Sequence, residues 1–432
     1  MSGTGARALL GDTDHYGTLA AVRDLGRAGV QVAVIDAEGV PSRSATSRYC
    51  HERIVAEPDW HAASRLERLL ADGARHPGTL LYPTSDDAAW MMALRQEELR
   101  RHFALYQPAA AAVVALLDKS QLYAHAVATG VPHPETWRPA SDDSLRQITA
   151  ELERDDRYPV IVKPRTQAGL ATKVKGIVAA DTATLLAAIA RMRQPGWYTD
   201  EFLRHAPADI QWPLVQQYMP EAQQFTYSVA GFIDRTGTLC AARASVKVFQ
   251  IPVRVGVGVA FEGRTLLPRL VAKIEAIARA TGYCGVCEVE FIHVARADHF
   301  YLMDFNPRYY GQMNFEVSRG LALPRMVLAA ATGDTAQFAA LVTQSARTLR
   351  GDDAATQRYC NRWLFQSLLR AQRVAGRLDP QAFATWKMWM ASPDVFDFVS
   401  ADDDPLPAEA DRKRYLRQWI RYPRSSYREL FR

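Results

Sequence analysis

Two acidic segments carry the residue types and spacing best suited to chemistry. Glu288-Val289-Glu290-Phe291 is followed, after a turn, by Met303-Asp304-Phe305-Asn306-Pro307-Arg308. Side chains alternate faces along a strand, so Asp304, Asn306 and Arg308 share a face if the strand persists through Asn306. Glu290 then meets them from the neighbouring strand. The result is two carboxylates, an amide oxygen and a guanidinium in one place. Mg²⁺ takes hard oxygen ligands and usually keeps several waters while bridging substrate phosphates. Two acids beside basic residues therefore suit a metal–polyphosphate complex. Without the cation, close carboxylates repel and one pKa rises. Alternating charges also fit a solvated strand end, but Phe291 and Phe305 favour a pair whose other face packs a core.

Basic residues elsewhere can face this cluster. A lysine is a compact point charge suited to a phosphate. Lys119 stands near the start of the second domain, before a helix over Gln121 to Thr129, and Lys163 ends the β-forming run Val160-Ile161-Val162. A buried run holds its last residue rigidly, which raises the interest of Lys163. The loop Thr166 to Lys173 can lie over phosphates through backbone N–H groups. Lys173, Lys175, Arg243 and Lys247 are further candidates for phosphate or substrate charge. Gln216-Gln217-Tyr218-Met219 can line an adenine slot, because a strand edge reads the adenine rim without a charged residue.

These residues need elements to position them. Ala8-Leu9-Leu10, a helical pattern over Leu19 to Leu25, and Val30 to Ile35 form a strand–helix–strand unit suited to a right-handed parallel crossover. Leu80-Leu81-Tyr82 is a further strand, and Ser85-Asp86-Asp87 caps a helix over Ala88 to Leu94. Residues 1 to about 112 thus read as a small α/β domain with a parallel sheet. Its first turn, Gly11-Asp12-Thr13-Asp14-His15-Tyr16-Gly17, is not the G-x-G-x-x-G of a dinucleotide fold, and its two acids would repel a pyrophosphate. Strands over Tyr158 to Arg165, Val174 to Val178, Val215 to Met219 and Phe225 to Phe232 suggest a second α/β unit with antiparallel hairpins. Arg243 to Val259 reads as a strand plus a loop, and Leu266 to Thr281 as an amphipathic helix. Val286 to Ile292 and His299 to Phe305 pair around Ala295-Arg296-Ala297-Asp298. Beyond about residue 345 the chain is mainly helical.

Composition narrows the function classes. The 432 residues are 48% hydrophobic and 23% charged, enough for two or three packed domains and unlike a disordered chain. No apolar run approaches the ~20 residues that span a bilayer. The N-terminus lacks the pattern of a secretory signal, so a cytoplasmic setting and no membrane partner are expected. Five scattered cysteines do not describe a disulfide framework. Cys284-Gly-Val-Cys287 lacks the second pair that a zinc site needs. The net charge of +5 fits anionic small substrates as well as nucleic acid, and no nucleic-acid module accompanies it.

The order of these segments resembles the ATP-grasp superfamily, in particular carboxylate–amine ligases similar to carbamoyl-phosphate synthase and D-aspartate ligase. The resemblance covers about residues 6 to 335. It rests on Leu81-Tyr82-Pro83-Thr84-Ser85-Asp86, Asp118-Lys119, Pro159 to Arg165, Gln217-Tyr218-Met219-Pro220, Val289-Glu290-Phe291 and Asp304 to Arg308. It implies an α/β protein with an open parallel N-terminal domain (1–112), an ATP-grasp domain (113–335, its lid about 120–215) and a helical C-terminal region (336–432). It also implies Lys119 and Lys163 on ATP phosphates, residues 216–219 as the hinge that holds adenine, and Lys173 and Gln224 as further nucleotide contacts. Glu290, Asp304 and Asn306 would bind Mg²⁺, with Mn²⁺ an alternative. Arg308 and Lys247 would act on the transferring phosphate. Gln217 stands where many members have Glu, and Asp304 replaces a more frequent Glu. The expected partners are a small-molecule carboxylate and an amine, joined as an amide. A small-molecule kinase and a non-catalytic ATP binder are the alternatives. His15, His133 and His293 are not expected to be catalytic, although His15 lies in a loop that can touch substrate. Arg254 and Arg319 are potential carboxylate anchors. The C-terminal helices would close the pocket or build a homodimer.

Overall fold

The computed structural model describes residues 5–172, 174–223, 226–251, 256–347, 357–424 and 426. Its first sheet is parallel throughout: β1 (Arg7–Leu10), β2 (Gln31–Asp36), β3 (Cys50–Val55), β4 (Thr79–Leu81) and β5 (Phe103–Ala104), in the order β3-β2-β1-β4-β5. Ala8 to Leu10 and Val32 to Ile35 are buried throughout. Helices on both faces of a parallel sheet demand such continuous apolar runs. The first crossover helix spans Tyr16–Arg27.

A second, antiparallel sheet follows, formed by β6 (Thr136–Trp137), β7 (Val160–Lys163), β8 (Ile177–Ala179) and β9 (Leu214–Gln217) in the order β6-β9-β7-β8. Helices Asp142–Arg154 and Thr182–Met192 pack their apolar stripes against it, with Leu145, Leu152, Leu185 and Ile189 in a common core with Val160 and Val162. Both helices start in capping boxes, at Ser141 and Asp181, which satisfy backbone donors that a helix start leaves open.

The third sheet has seven strands: β10 (Thr226–Ile233), β11 (Leu239–Ile251), β12 (Val257–Arg264), β13 (Gly285–Val294), β14 (His299–Asn306), β15 (Arg358–Cys360) and β16 (Val395–Asp397). Their order is β14-β13-β10-β11-β12-β15-β16, antiparallel except for the β15–β16 pair. Helix Pro268–Thr281 covers one face, where Leu270, Ile274 and Ile277 share a core with Val289, Phe291 and Phe305. The opposite face therefore carries the alternate residues of β13 and β14, Glu288, Glu290, Asp304 and Asn306. The C-terminal region holds the expected helices, at Arg362–Val374, Pro380–Ala391 and Leu406–Arg421. It also adds β15 and β16. Strands of three residues have no legible period, and pairing with β12 creates them. Among the described residues no helix is long and apolar enough to cross a membrane.

The first sheet is tied to the third at the site. Tyr82 Oη accepts from Val286 N at 2.7 Å, and Pro83 O accepts from Tyr309 N at 3.1 Å. Gly17 lies so close to the loop after β14 that a Cβ there would meet Tyr310 O at 2.4 Å. The C-terminal region latches onto the same unit. Arg23, on the first crossover helix, donates from Nε to Asp404 Oδ2 at 2.9 Å and from Nη2 to Val399 O at 2.8 Å. Ser47 Oγ donates to Asp404 Oδ2 at 2.7 Å, and Arg48 N donates to Oδ1 at 2.9 Å. Arg23 is 2% exposed and Asp404 0%, so neither can turn to water if the other is lost. Removing one partner of a buried pair costs about 3–5 kcal/mol. Asp404→Ala is expected to lower unfolding free energy by about that amount, and Asp404→Asn by less, in urea titrations followed by circular dichroism.

Candidate functional site

The β13–β14 hairpin sets the acidic face. Its register places Glu290 beside Asp304 and Glu288 beside Asn306. Asn306 Nδ2 donates to Glu288 Oε2 at 2.6 Å, and Gln312 Nε2 donates to Glu288 Oε1 at 2.8 Å. Arg308 Nη2 donates to Asn306 Oδ1 at 2.9 Å, and Arg308 Nε to Asp86 Oδ1 at 2.5 Å. Asp86 reaches this point from the first turn of helix Asp86–Leu94, which Ser85 caps. Burial, with Glu290 adding repulsion, pushes the Glu288 carboxyl up to about 8. Carboxylates that repel in this way, joined by an amide oxygen, are a donor set that fits a hard divalent cation.

Three lysines face the acids. Lys119 Nζ donates to Asp304 Oδ1 at 2.5 Å. Burial works against ionisation of Asp304, but Lys119 outweighs it and holds the carboxyl below the ordinary range. Lys119 is itself placed by Asp118, which caps its helix through Ser120 N and forms a fork with the Arg165 guanidinium. Lys163, the last residue of β7, donates from Nζ to Gln216 Oε1 at 2.9 Å. Burial, then repulsion by Lys119, lowers its pKa to about 8. Lys247 projects from β11 on the acidic face; burial lowers its pKa against the pull of Glu290. Residues across strands on one face are neighbours, and β10 alone separates β11 from β13.

Glu288, Glu290, Asp304, Asn306, Arg308, Gln312, Lys119, Lys163 and Lys247 line one cavity of about 260 Å³ between the second and third sheets. Gln216, Gln217, Tyr218 and Met219 form part of its wall, where the chain leaves β9 for β10. Gln216 is buried, and its Nε2 donates to Thr136 Oγ1 at 2.9 Å. Of the residues read from the sequence, Lys119, Lys163, Gln216, Gln217, Tyr218, Met219, Lys247, Glu290, Asp304, Asn306 and Arg308 come together here. Lys173, Gln224 and Arg254 lie outside the described residues. Arg319 lies away from the cavity: its guanidinium donates to Glu316 Oε1 at 2.9 Å and Ala244 O at 3.1 Å.

Several lining residues escape the sequence reading. Glu288 is legible in hindsight, since it stands two residues before Glu290 and must share its face. The apolar trio Ile161, Ile292 and Met303 carries no such signal, because an apolar residue on a strand gives no sign of which cavity it meets. His15 lines the cavity from the loop after β1. Elsewhere Glu52, Asp72 and His76 also converge. Arg7 already occupies that cluster, donating to Asp72 at 2.8 Å and Glu52 at 2.9 Å.

No family profile matches the sequence, and no curated protein matches it. Solved structures do match. The biotin carboxylase of Campylobacter jejuni, in a structure described as a β-γ-ATP complex, superposes with a TM-score of 0.57 over 76% of this chain and 71% of its own, at 16% identity. The L-amino acid ligase of Bacillus licheniformis matches with a TM-score of 0.56 over 77% and 76%, at 11% identity. The N5-carboxyaminoimidazole synthetase of Staphylococcus aureus gives 0.52 over 76% and 77%, at 14% identity. The chain has the ATP-grasp fold. In this fold the acidic face belongs to the large antiparallel sheet and Lys163 to the small one, so the cavity lies between two separately built cores.

The lowered pKa of Lys163 has a measurable sign. A lysine whose folded pKa lies below its unfolded value, about 10.4, destabilises the fold while protonated. The cost is full below about pH 8 and fades as pH rises toward the unfolded value. The melting temperature of Lys163→Met relative to wild type is therefore expected to be most favourable near pH 7. That advantage should shrink steadily by pH 9.5 in scanning calorimetry without ligand.

Proposed function

We propose that the chain is an ATP- and Mg²⁺-dependent ligase that joins a carboxylate to an amine through an acyl phosphate. One observation carries the reading: Glu290 beside Asp304, and Glu288 beside Asn306, face Lys119, Lys163 and Lys247 across a single cavity. Hard oxygen donors on one side and ammonium groups on the other suit a metal-bound polyphosphate. The solved relatives include a biotin carboxylase holding an ATP analogue, and another, from Hydrogenobacter thermophilus, with MgADP and bicarbonate.

Mg-ATP, when bound, supplies a γ-phosphoryl group to a carboxylate oxygen. Glu290, Asp304 and Asn306 would hold the metal, with Glu288 fixing the Asn306 amide. Lys119 and Lys163 would neutralise phosphate charge, and Lys247 would meet the phosphates from β11. Ile161, Ile292 and Met303 would face the adenine ring, while residues 216–219 would meet its edge. Lys173 and Gln224 remain proposed nucleotide contacts. Arg308, held by Asp86 and Asn306, would meet the charge that builds on the transferring group. A bond forms from the carboxylate oxygen to phosphorus as the β,γ-bridge breaks, and ADP leaves with the electron pair. The amine nitrogen then bonds the acyl carbon, phosphate leaves with the C–O pair, and the nitrogen's proton is released. Positioning and charge neutralisation account for most of the work. In this reading residues 1–112 form the substrate-facing α/β domain, 113–335 the ATP-grasp domain with its lid at about 120–215, and 336–432 the C-terminal region.

Glu290→Gln is expected to lose about a thousandfold in ATP turnover, corresponding to several kcal/mol of metal-linked stabilisation, with an unchanged circular dichroism spectrum. Lys163→Met should weaken ATP binding in calorimetry by about tenfold or more. Near wild-type turnover of purified Glu290→Gln would remove the metal assignment. Mass detection of a stable phosphorylated acid in place of an amide would mark a kinase.

A further inference from the structure

The loop that follows Lys163 reads from the sequence as a backbone cradle for phosphates, but three of its N–H groups are committed inside the protein. Gly169 N donates to Asp87 Oδ1 at 2.5 Å, Ala168 N to Thr166 Oγ1 at 3.1 Å and Ala171 N to Trp197 O at 3.0 Å. A donor already held by a good acceptor gains little by turning to a phosphate. What the loop brings to the cavity is a side chain, Gln167. A carboxamide N–H can meet a phosphate oxygen without adding a charge to the site.

The place of this loop is set from the first domain. Asp87 stands in the first turn of helix Asp86–Leu94, next to the Asp86 that holds Arg308. The same Asp87 Oδ1 lies 3.1 Å from His61 Nε2. One turn further along the helix, Trp90 meets the Phe202 ring edge to face at 5.2 Å, and His61 meets that ring at 5.2 Å as well. Phe202 is fully buried and closes the space behind Gly169. A Cβ at Gly169 would fall 2.1 Å from Phe202 Cγ, and its φ of +70° is one that glycine adopts without strain. On its other side the loop is stitched to residues 197–199. Gly169 O accepts from Thr199 N at 2.8 Å, and Thr166 O accepts from Tyr198 Oη at 3.3 Å.

We propose that Gln167 is a nucleotide-binding residue that meets a phosphate oxygen through its carboxamide, and that Asp87 is the positioning residue that holds Gln167 over the cavity. The inference rests on the Mg-ATP site of the ligase reading and deepens it. Adjacent carboxylates on one helix turn then set two parts of the site: Asp86 the arginine at the reacting centre, Asp87 the loop that follows Lys163. The helix is a rigid mount for both. Ser85 caps it, and its Ala89, Trp90 and Ala93 share a core with Val160, Val162 and Phe202.

The test uses full-length protein with Mg²⁺ and a non-hydrolysable ATP analogue. Calorimetry measures the affinity for the analogue, and hydrogen exchange read by mass spectrometry follows residues 166–172 without ligand. Gln167→Met keeps the side-chain length and removes the amide; it is expected to weaken the analogue about fivefold or more and to leave loop exchange unchanged. Asp87→Ala is expected to weaken the analogue about threefold or more and to speed loop exchange about tenfold, with β7 and β9 unchanged. Asp87→Asn keeps an oxygen for Gly169 N and should recover most of both effects. The double variant, Gln167→Met with Asp87→Ala, should match Gln167→Met alone to about twofold, because Asp87 acts through Gln167. Unchanged affinity in either single variant, additive losses in the double variant, unchanged loop exchange in Asp87→Ala, faster exchange spread through β7 and β9, or no recovery in Asp87→Asn overturns the inference while leaving the ATP site in place. Failure of wild type to bind the analogue overturns both.

Discussion

The charge balance across the β13–β14 hairpin is the constraint on which the site depends. Four side chains with affinity for cations or protons are forced onto one face by strand alternation, and hairpin register puts them two abreast. The opposite face is committed to the core through Val289, Phe291 and Phe305, so the acidic face has no freedom to rotate away. A slip of one residue would bury the carboxylates and expose the phenylalanines. Lys119 answers this concentration of acid directly at Asp304, which makes the resting site a self-neutralised arrangement rather than a bare anionic patch.

Placement of the lysines depends on a second core. Lys163 ends a strand whose apolar residues pack beneath helices of the small sheet, while Glu290 and Asp304 sit on the large one. The cavity lies where the two meet, and residues 216–219 form the connection between them. The lowered pKa of Lys163 reflects burial beside Lys119. A group held in this state interacts strongly with any anion that enters, because the field around it is poorly screened.

The C-terminal region is more than an appended helical segment. Its two short strands extend the large sheet, its buried Asp404 is held by Arg23, Ser47 and Arg48, and its Phe398 reaches the cavity. These contacts join the two ends of the sequence around the site. The wall they form is aromatic at Phe398, in contrast to the acidic and basic centre beside it.

The sequence alone carried the acidic pairs, the lysine at the end of Val160-Ile161-Val162 and the parallel opening unit, because strand alternation and apolar runs are local properties of the chain. Glu288 was available by the same alternation. The partnership of Arg308 with Asp86 and the ring cluster that Phe398 forms with Tyr16 and Tyr359 became visible only in the tertiary structure. So did the burial of Arg319 against Glu316, away from the cavity. The first two depend on segments distant in sequence meeting in space, as Arg23 and Asp404 do across most of the chain, whereas Arg319 and Glu316 are three residues apart and are buried together. Residue type and spacing specify which face a side chain takes within its own element, but the packing of separate cores decides what that face meets.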